Sequence, residues 1–70
     1  MDARRFRAIM ILNGDSVSTV ASALSRSRNT IYLKIKGKLD FDSREIQILK
    51  ERWSLSANDI ELIFFSSKVS

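Results

Sequence analysis

Arg28, Asn29, Tyr32 and Lys36 recur at the spacing that, in an α-helix, brings side chains to one face. Their shared chemistry is recognition of a charged, hydrogen-bonding surface. In the major groove of DNA, Arg bonds bidentately to guanine and Asn to adenine, and apolar or aromatic groups pack on thymine methyls. Leu33 widens the same face with an apolar contact, so Arg28, Asn29, Tyr32 and Leu33 are the candidate base readers. Lys34, Lys36 and Lys38 suit phosphate oxygens, contacts that fix register without carrying sequence information. The competing reading is a plain amphipathic helix, buried through Ile31 and Ile35, whose basic side merely faces solvent.

Catalytic chemistry finds little to build on. The chain has eleven serines but neither His nor Cys, so its hydroxyls lack the bases that usually activate them, and an enzyme is not expected. The same two absences remove disulfides and the commonest metal ligands, and no cofactor is expected. Asp40, Asp42 and Glu45 lie close enough in sequence to suggest a cation site, yet helix capping by Asp42 and Glu45 accounts for two of the three.

The basic face needs a frame to hold it. Pro is absent, Gly occurs only at positions 14 and 37, and apolar residues recur with helical period, which predicts an all-α chain with short turns. Five helices are expected in one domain spanning 1–70. The first runs from about 3 to 12, with Asp2 as N-cap, Phe6, Ile9 and Met10 inward and Gly14 as a left-handed stop. The second, capped by Ser16 or Ser18, runs to about Leu24 and buries Val20, Ala21 and Leu24. Ser27 caps the third, which carries the basic face and ends at Gly37. A capping box in "DSRE" opens the fourth, with Ile46, Leu49 and Trp53 inward, and Ser56 in "SAND" caps the fifth, with Ile60, Ile63 and Phe64 inward. A short helix, a tight turn and a second helix over about 16–37 describe a helix-turn-helix, whose second helix lies in the major groove.

Charge is distributed to match. Eight basic and two acidic residues fall in the first 38 positions, against four basic and six acidic in the rest, so one half is cationic and the other mildly anionic. That split suits a domain with one face toward a polyanion and another for packing or self-association. The longest purely apolar run, Ala8 to Leu12, is far short of the roughly 20 residues that span a bilayer. No signal-peptide pattern opens the chain, and a cytoplasmic, membrane-free location is expected.

The segment "SVSTVASALSRSRNTIYLKIKGKLDF", Ser16 to Phe41, resembles the helix-turn-helix of the phage repressor and Cro-like (Xre-type) family. The likeness rests on the polar cap at Ser16, the Val20–Ala21 pair, Leu24, the capping Ser27, Thr30–Ile31 and "IKGK" at 35–38. The segment from Phe41 to Phe65 is similar to that family's C-terminal helices, which would occupy about 43–65 here. The resemblance implies a compact five-helix bundle of the lambda repressor-like type, bacterial or phage-encoded. It also implies a transcriptional regulator bound as a homodimer to a palindromic operator in double-stranded DNA. Carried onto this chain, it puts base reading at Arg28, Asn29, Tyr32 and Leu33, and backbone contacts at Val17, Ser27, Lys36 and Lys38. The chain departs from the pattern with Ser25 where the turn usually has Gly, Arg26 where it is usually apolar, and Val17 where Gln is common. A left-handed Ser25 would cost about 1 kcal/mol.

Three further expectations concern the rest of the surface. Arg4 and Arg5, with Arg7, would serve as an arm reaching DNA backbone. Trp53 is expected in the core, and Leu62, Phe65, Ile11 and Leu12 exceed what a thin core needs and mark a partner or dimer surface. That apolar surplus sustains a second functional class, a helix-turn-helix protein that docks on another phage-type regulator as antirepressor, antitoxin or repressor modulator.

Overall fold

The computed structural model describes residues 1–65, and these form five α-helices without strands among the described residues: α1 (Ala3–Leu12), α2 (Val17–Leu24), α3 (Arg28–Ile35), α4 (Ser43–Arg52) and α5 (Ala57–Phe64). Every helix starts on an oxygen-bearing cap, Asp2, Ser16, Ser27, Asp42 and Ser56, whose side chain accepts the backbone N–H three residues on. The choice left open at the start of α2 falls to Ser16, which forms a reciprocal box with Thr19. Asp42 with Glu45 and Ser56 with Asp59 form the other two boxes. Each cap satisfies an amide that the first helical turn would leave unpaired, worth about 1 kcal/mol.

The ends of the first four helices follow one rule. A left-handed residue stops each: Gly14, Ser25, Gly37 and Ser54. The next N–H reaches back five residues to a helix carbonyl, Asp15 to Met10, Arg26 to Ala21, Lys38 to Leu33 and Leu55 to Lys50. Ser25 therefore takes the conformation that Gly would take more cheaply, and α2 and α3 are joined by only three residues.

Phe6 is the hub of the core. It is fully buried, stacks on Phe41 with ring centroids 5.2 Å apart, and meets Trp53 and Phe64 edge-on at 5.3 and 6.1 Å. Val20, Ala21 and Leu24 of α2 and Ile31 and Ile35 of α3 join it, with Met10, Leu49, Trp53, Leu55 and Ile63. Ile9, Ile60 and Phe64, expected inward, are half-buried and pack against its edge, whereas Ile46, also expected inward, is half-buried on the outer side and Ile48 of the same helix packs on the core instead. α2 packs most closely on α3, and α1 lies against α5, where the Asp2 N–H donates to the Ile63 carbonyl at 2.8 Å.

Two ion networks tie α2 and α3 to α4. At one end Asp15 accepts from both Nε and Nη2 of Arg52 at 2.8 Å, from the Trp53 indole N–H at 2.7 Å and from the Thr19 hydroxyl at 2.7 Å. At the other, the fully buried Glu45 accepts from Lys34 Nζ at 2.6 Å and Arg26 Nε at 2.8 Å. Trp53 is thus a core residue whose indole N–H donates to Asp15 Oδ2, an oxygen it shares with Arg52 Nε. No described helix is long and apolar enough to cross a membrane.

Candidate nucleic-acid interface

The outer face of α3 is set by its inner one. Ile31, Lys34 and Ile35 are buried, and the helical period turns Arg28, Asn29, Tyr32, Leu33 and Lys36 to the other side. Arg28, Asn29, Tyr32 and Lys36 are exposed and Leu33 is half-buried. These five predicted residues come together on one ridge, with Lys38 exposed just past the helix end. Among the described residues, Arg28, Lys36 and Lys38 form no ion pair.

At the start of α3, Ser27 Oγ accepts the Thr30 N–H at 3.1 Å and donates to Thr30 Oγ1 at 2.9 Å. Its own amide finds no backbone carbonyl among the described residues, and the first amides of the helix point outward by geometry. Such a terminus is suited to an anion. Val17 begins α2 and is half-buried, so its backbone rather than its side chain is the polar group it offers.

Lys34 differs from the expectation that made it a phosphate contact with Lys36 and Lys38. It is only 7% exposed, and Nζ donates to Glu45 Oε1 and, at 2.9 Å, to the Asp40 carbonyl, while lying 5.4 Å from the centre of the Phe41 ring. The reason is its place three residues after Ile31, on the core side of α3, where the long stem is buried and the ammonium must find a partner inside. Arg26 is likewise spoken for: its guanidinium bonds Glu45 and approaches Asp42 at 3.5 Å. Sequence reading assigned Glu45 only to a capping box. It does accept the Asp42 N–H at 2.9 Å, but the same oxygen also neutralises Lys34.

Burial alone would raise the Glu45 pKa. Hydrogen bonds from Lys34, the Asp42 amide and Arg26 outweigh it and hold the carboxyl below its ordinary value. The Arg52 hydrogen bond does the same for Asp15, more strongly, helped by Trp53 and Thr19 against the cost of burial. Two of the three acids that suggested a cation site are therefore engaged within the protein itself, Glu45 by Lys34 and Arg26, and Asp42 by Arg26 and the Glu45 amide it caps.

Arg4 and Arg5 lie in the first turn of α1, where the sequence placed them, with Arg5 Nε 3.5 Å from Asp2. Ile11 and Leu12, 68% and 83% exposed, cap the far end of α1, whereas Leu62 and Phe65 lie at the end of α5, beside the start of α1. About ten residues of helix, roughly 15 Å, separate the two apolar spots, so they are not one surface. Comparison with family models, curated proteins and solved structures found no match for this chain.

Proposed function

We propose that this chain is a helix-turn-helix DNA-binding regulator of the phage repressor and Cro-like type, with α2 and α3 as the motif and α3 in the major groove. The observation that carries the reading is how its cations are divided. Arg5, Arg26, Lys34 and Arg52 are each tied to an acid of the fold, and of the cations that form no ion pair among the described residues Arg28, Lys36 and Lys38 gather, exposed, on or beside α3, the others being Arg4, Arg7, Arg44 and Lys50. A basic face needed only for solubility has no reason to gather on the helix that also carries Asn29 and Tyr32.

In this reading Arg28 and Asn29 read bases, Tyr32 and Leu33 pack on them, and Lys36, Lys38 and the amides at Ser27 and Val17 hold the backbone. Arg4 and Arg5 supply long-range attraction. As a homodimer on a palindromic operator, the protein would set two copies of α3 about 34 Å apart. The test is titration against operator candidates and random duplexes at several salt concentrations. Arg28→Ala is expected to cost about 1 to 3 kcal/mol and to relax sequence preference. Lys36→Ala is expected to weaken binding to all sequences alike and to lower the salt slope by about one. Absence of binding even at low salt overturns the reading.

A second reading has its own support. Leu33 on the outer side of α3 and Val17 at the start of α2 are half-buried apolar residues at positions proposed to meet DNA, and Ile11 and Leu12 are exposed elsewhere, which favours docking on another regulator. A stable complex with a co-encoded repressor, without DNA binding, would establish that role instead.

A further inference from the structure

α2 and α3 begin differently from the other helices. The residue before the N-cap is apolar at α1, α4 and α5, where it is Met1, Phe41 and Leu55, and all three pack in or against the core, the usual apolar staple of a helix start. Before the caps of α2 and α3 it is charged, Asp15 and Arg26. Each of these two is held from both sides. Its backbone N–H donates to the helix behind it, Asp15 to the Met10 carbonyl at 3.0 Å and Arg26 to that of Ala21 at 2.9 Å. Its side chain is bonded to α4, Asp15 to Arg52 at 2.8 Å and Arg26 to Glu45 at 2.8 Å. Glu45 and Arg52 are seven residues apart, about two turns or 10 Å along one face of that helix. Their order follows the helix dipole, an acid in the first turn and a base in the last. It also fixes which segment meets which end, since Glu45 would repel Asp15 and Arg52 would repel Arg26.

We infer that Asp15 and Arg26 are positioning residues for DNA binding, with α4 as the strut between them. The inference rests on the reading that α2 and α3 meet DNA through their first turns. Each residue stands one place before a cap, Ser16 or Ser27, so its tie sets the direction of the amides that follow, and one rigid helix sets both directions together. A helix start needs no such tie for its own sake, because the side chains that precede the caps of α1, α4 and α5 carry no charge. Arg26 spends its guanidinium on Glu45 and Asp42, so its part differs from the phosphate contacts given to Lys36 and Lys38.

Arg26→Met and Arg52→Met each cut one tie and leave the acid it held with other donors, Glu45 with Lys34 and the Asp42 amide, and Asp15 with Trp53 and Thr19. Affinity is measured on the full chain at several salt concentrations, for the tightest duplex selected from a random pool and for the pool itself. Circular dichroism checks that each variant is helical at the temperature used. Both variants are expected to bind the selected duplex about 10-fold more weakly than wild type with an unchanged salt slope. Binding to the random pool is expected to match that of Lys50→Ala, which removes a cation of α4 that forms no ion pair among the described residues. Loss of stability alone lowers neither the affinity of the folded protein nor its preference for the selected duplex. A salt slope lowered by about one would mean that the arginine itself touches phosphate, and affinity equal to wild type in both variants would mean that the ties serve only the fold. Either result overturns the inference and leaves the DNA reading in place. A wild type that binds no duplex even at low salt overturns both.

Discussion

Three donors converge on the two carboxylate oxygens of Glu45. Oε1 accepts from Lys34 and the Asp42 amide, Oε2 accepts from Arg26, and none of the side chain reaches solvent. A buried ion pair of this kind is weak evidence of net stabilisation, because desolvating both charges offsets most of their attraction. Removing one partner is another matter, since it leaves the other charge buried alone. Glu45→Gln is therefore expected to lose about 3 kcal/mol or more, a large part of the stability of so small a domain. Lys34→Met combined with Glu45→Gln removes the buried pair and keeps an acceptor at the capping-box position, while Arg26, whose side chain is 39% exposed, keeps Asp42 and solvent. It is expected to return to within about 1 kcal/mol of wild type. Urea denaturation of the two single variants and the double one completes the cycle, and additive losses would show that Lys34 and Glu45 do not act as a pair. The departure at Arg26, where the resembling family is usually apolar, gains a physical account here: Arg26 and Lys34 place two cations against one interior, and Glu45 answers both.

At the scale of elements, the helix ends repeat one device, and Ser25 uses it at a cost. Its φ of 57° and ψ of 45° lie in the left-handed region, where the Cβ crowds the following carbonyl. Ser25→Gly is expected to stabilise the chain by about 0.5 to 1 kcal/mol and to raise Tm by a few degrees in a thermal melt. A melt that does not rise would mean that Ser25 holds the turn through something other than its backbone. The caps and the two Gly stops were legible in the sequence because they are local, an oxygen three residues before its amide or a Gly just past the last apolar position, whereas the left-handed Ser54 carries no such mark. The outer face of α3 was legible too, since it follows from the helical period once Ile31 and Ile35 are inside. The links that tie elements together were not. Lys34 finds Glu45 eleven residues away, Arg26 finds it nineteen away, and Arg52 finds Asp15 thirty-seven away. No spacing rule connects such pairs, so Lys34 read as one more surface lysine. Leu55 and Phe41 were missed for the same reason, since both lie outside the helices and reach the core only through tertiary packing.

For the molecule as a whole, these long-range ties set how it responds to acid. Asp15 is held below the ordinary carboxylate range by Arg52, and Glu45 by Lys34, Asp42 and Arg26 against its burial. The backbone N–H of Glu45 holds Asp42 below its ordinary value, and that of Ser56 does the same for Asp59. In the unfolded chain all four return to ordinary values near about 4. Below about pH 5 the unfolded state therefore takes up protons that the folded state refuses, and stability falls as pH falls. The contribution is fully present near neutrality and is lost as pH drops through the depressed folded values. Acid also removes the negative charge that partly balances a basic chain, so repulsion adds to the loss. Melts from about pH 7 to about pH 3, read by the fluorescence of Trp53 as the only tryptophan, are expected to show a steadily falling Tm. Asp15→Asn is expected to be less stable than wild type near neutrality and to lose less on acidification, so that the two curves converge at low pH. Parallel curves would mean that Asp15 carries no part of the acid response, and a Tm unchanged across the whole acid range would remove the role given to all four carboxylates.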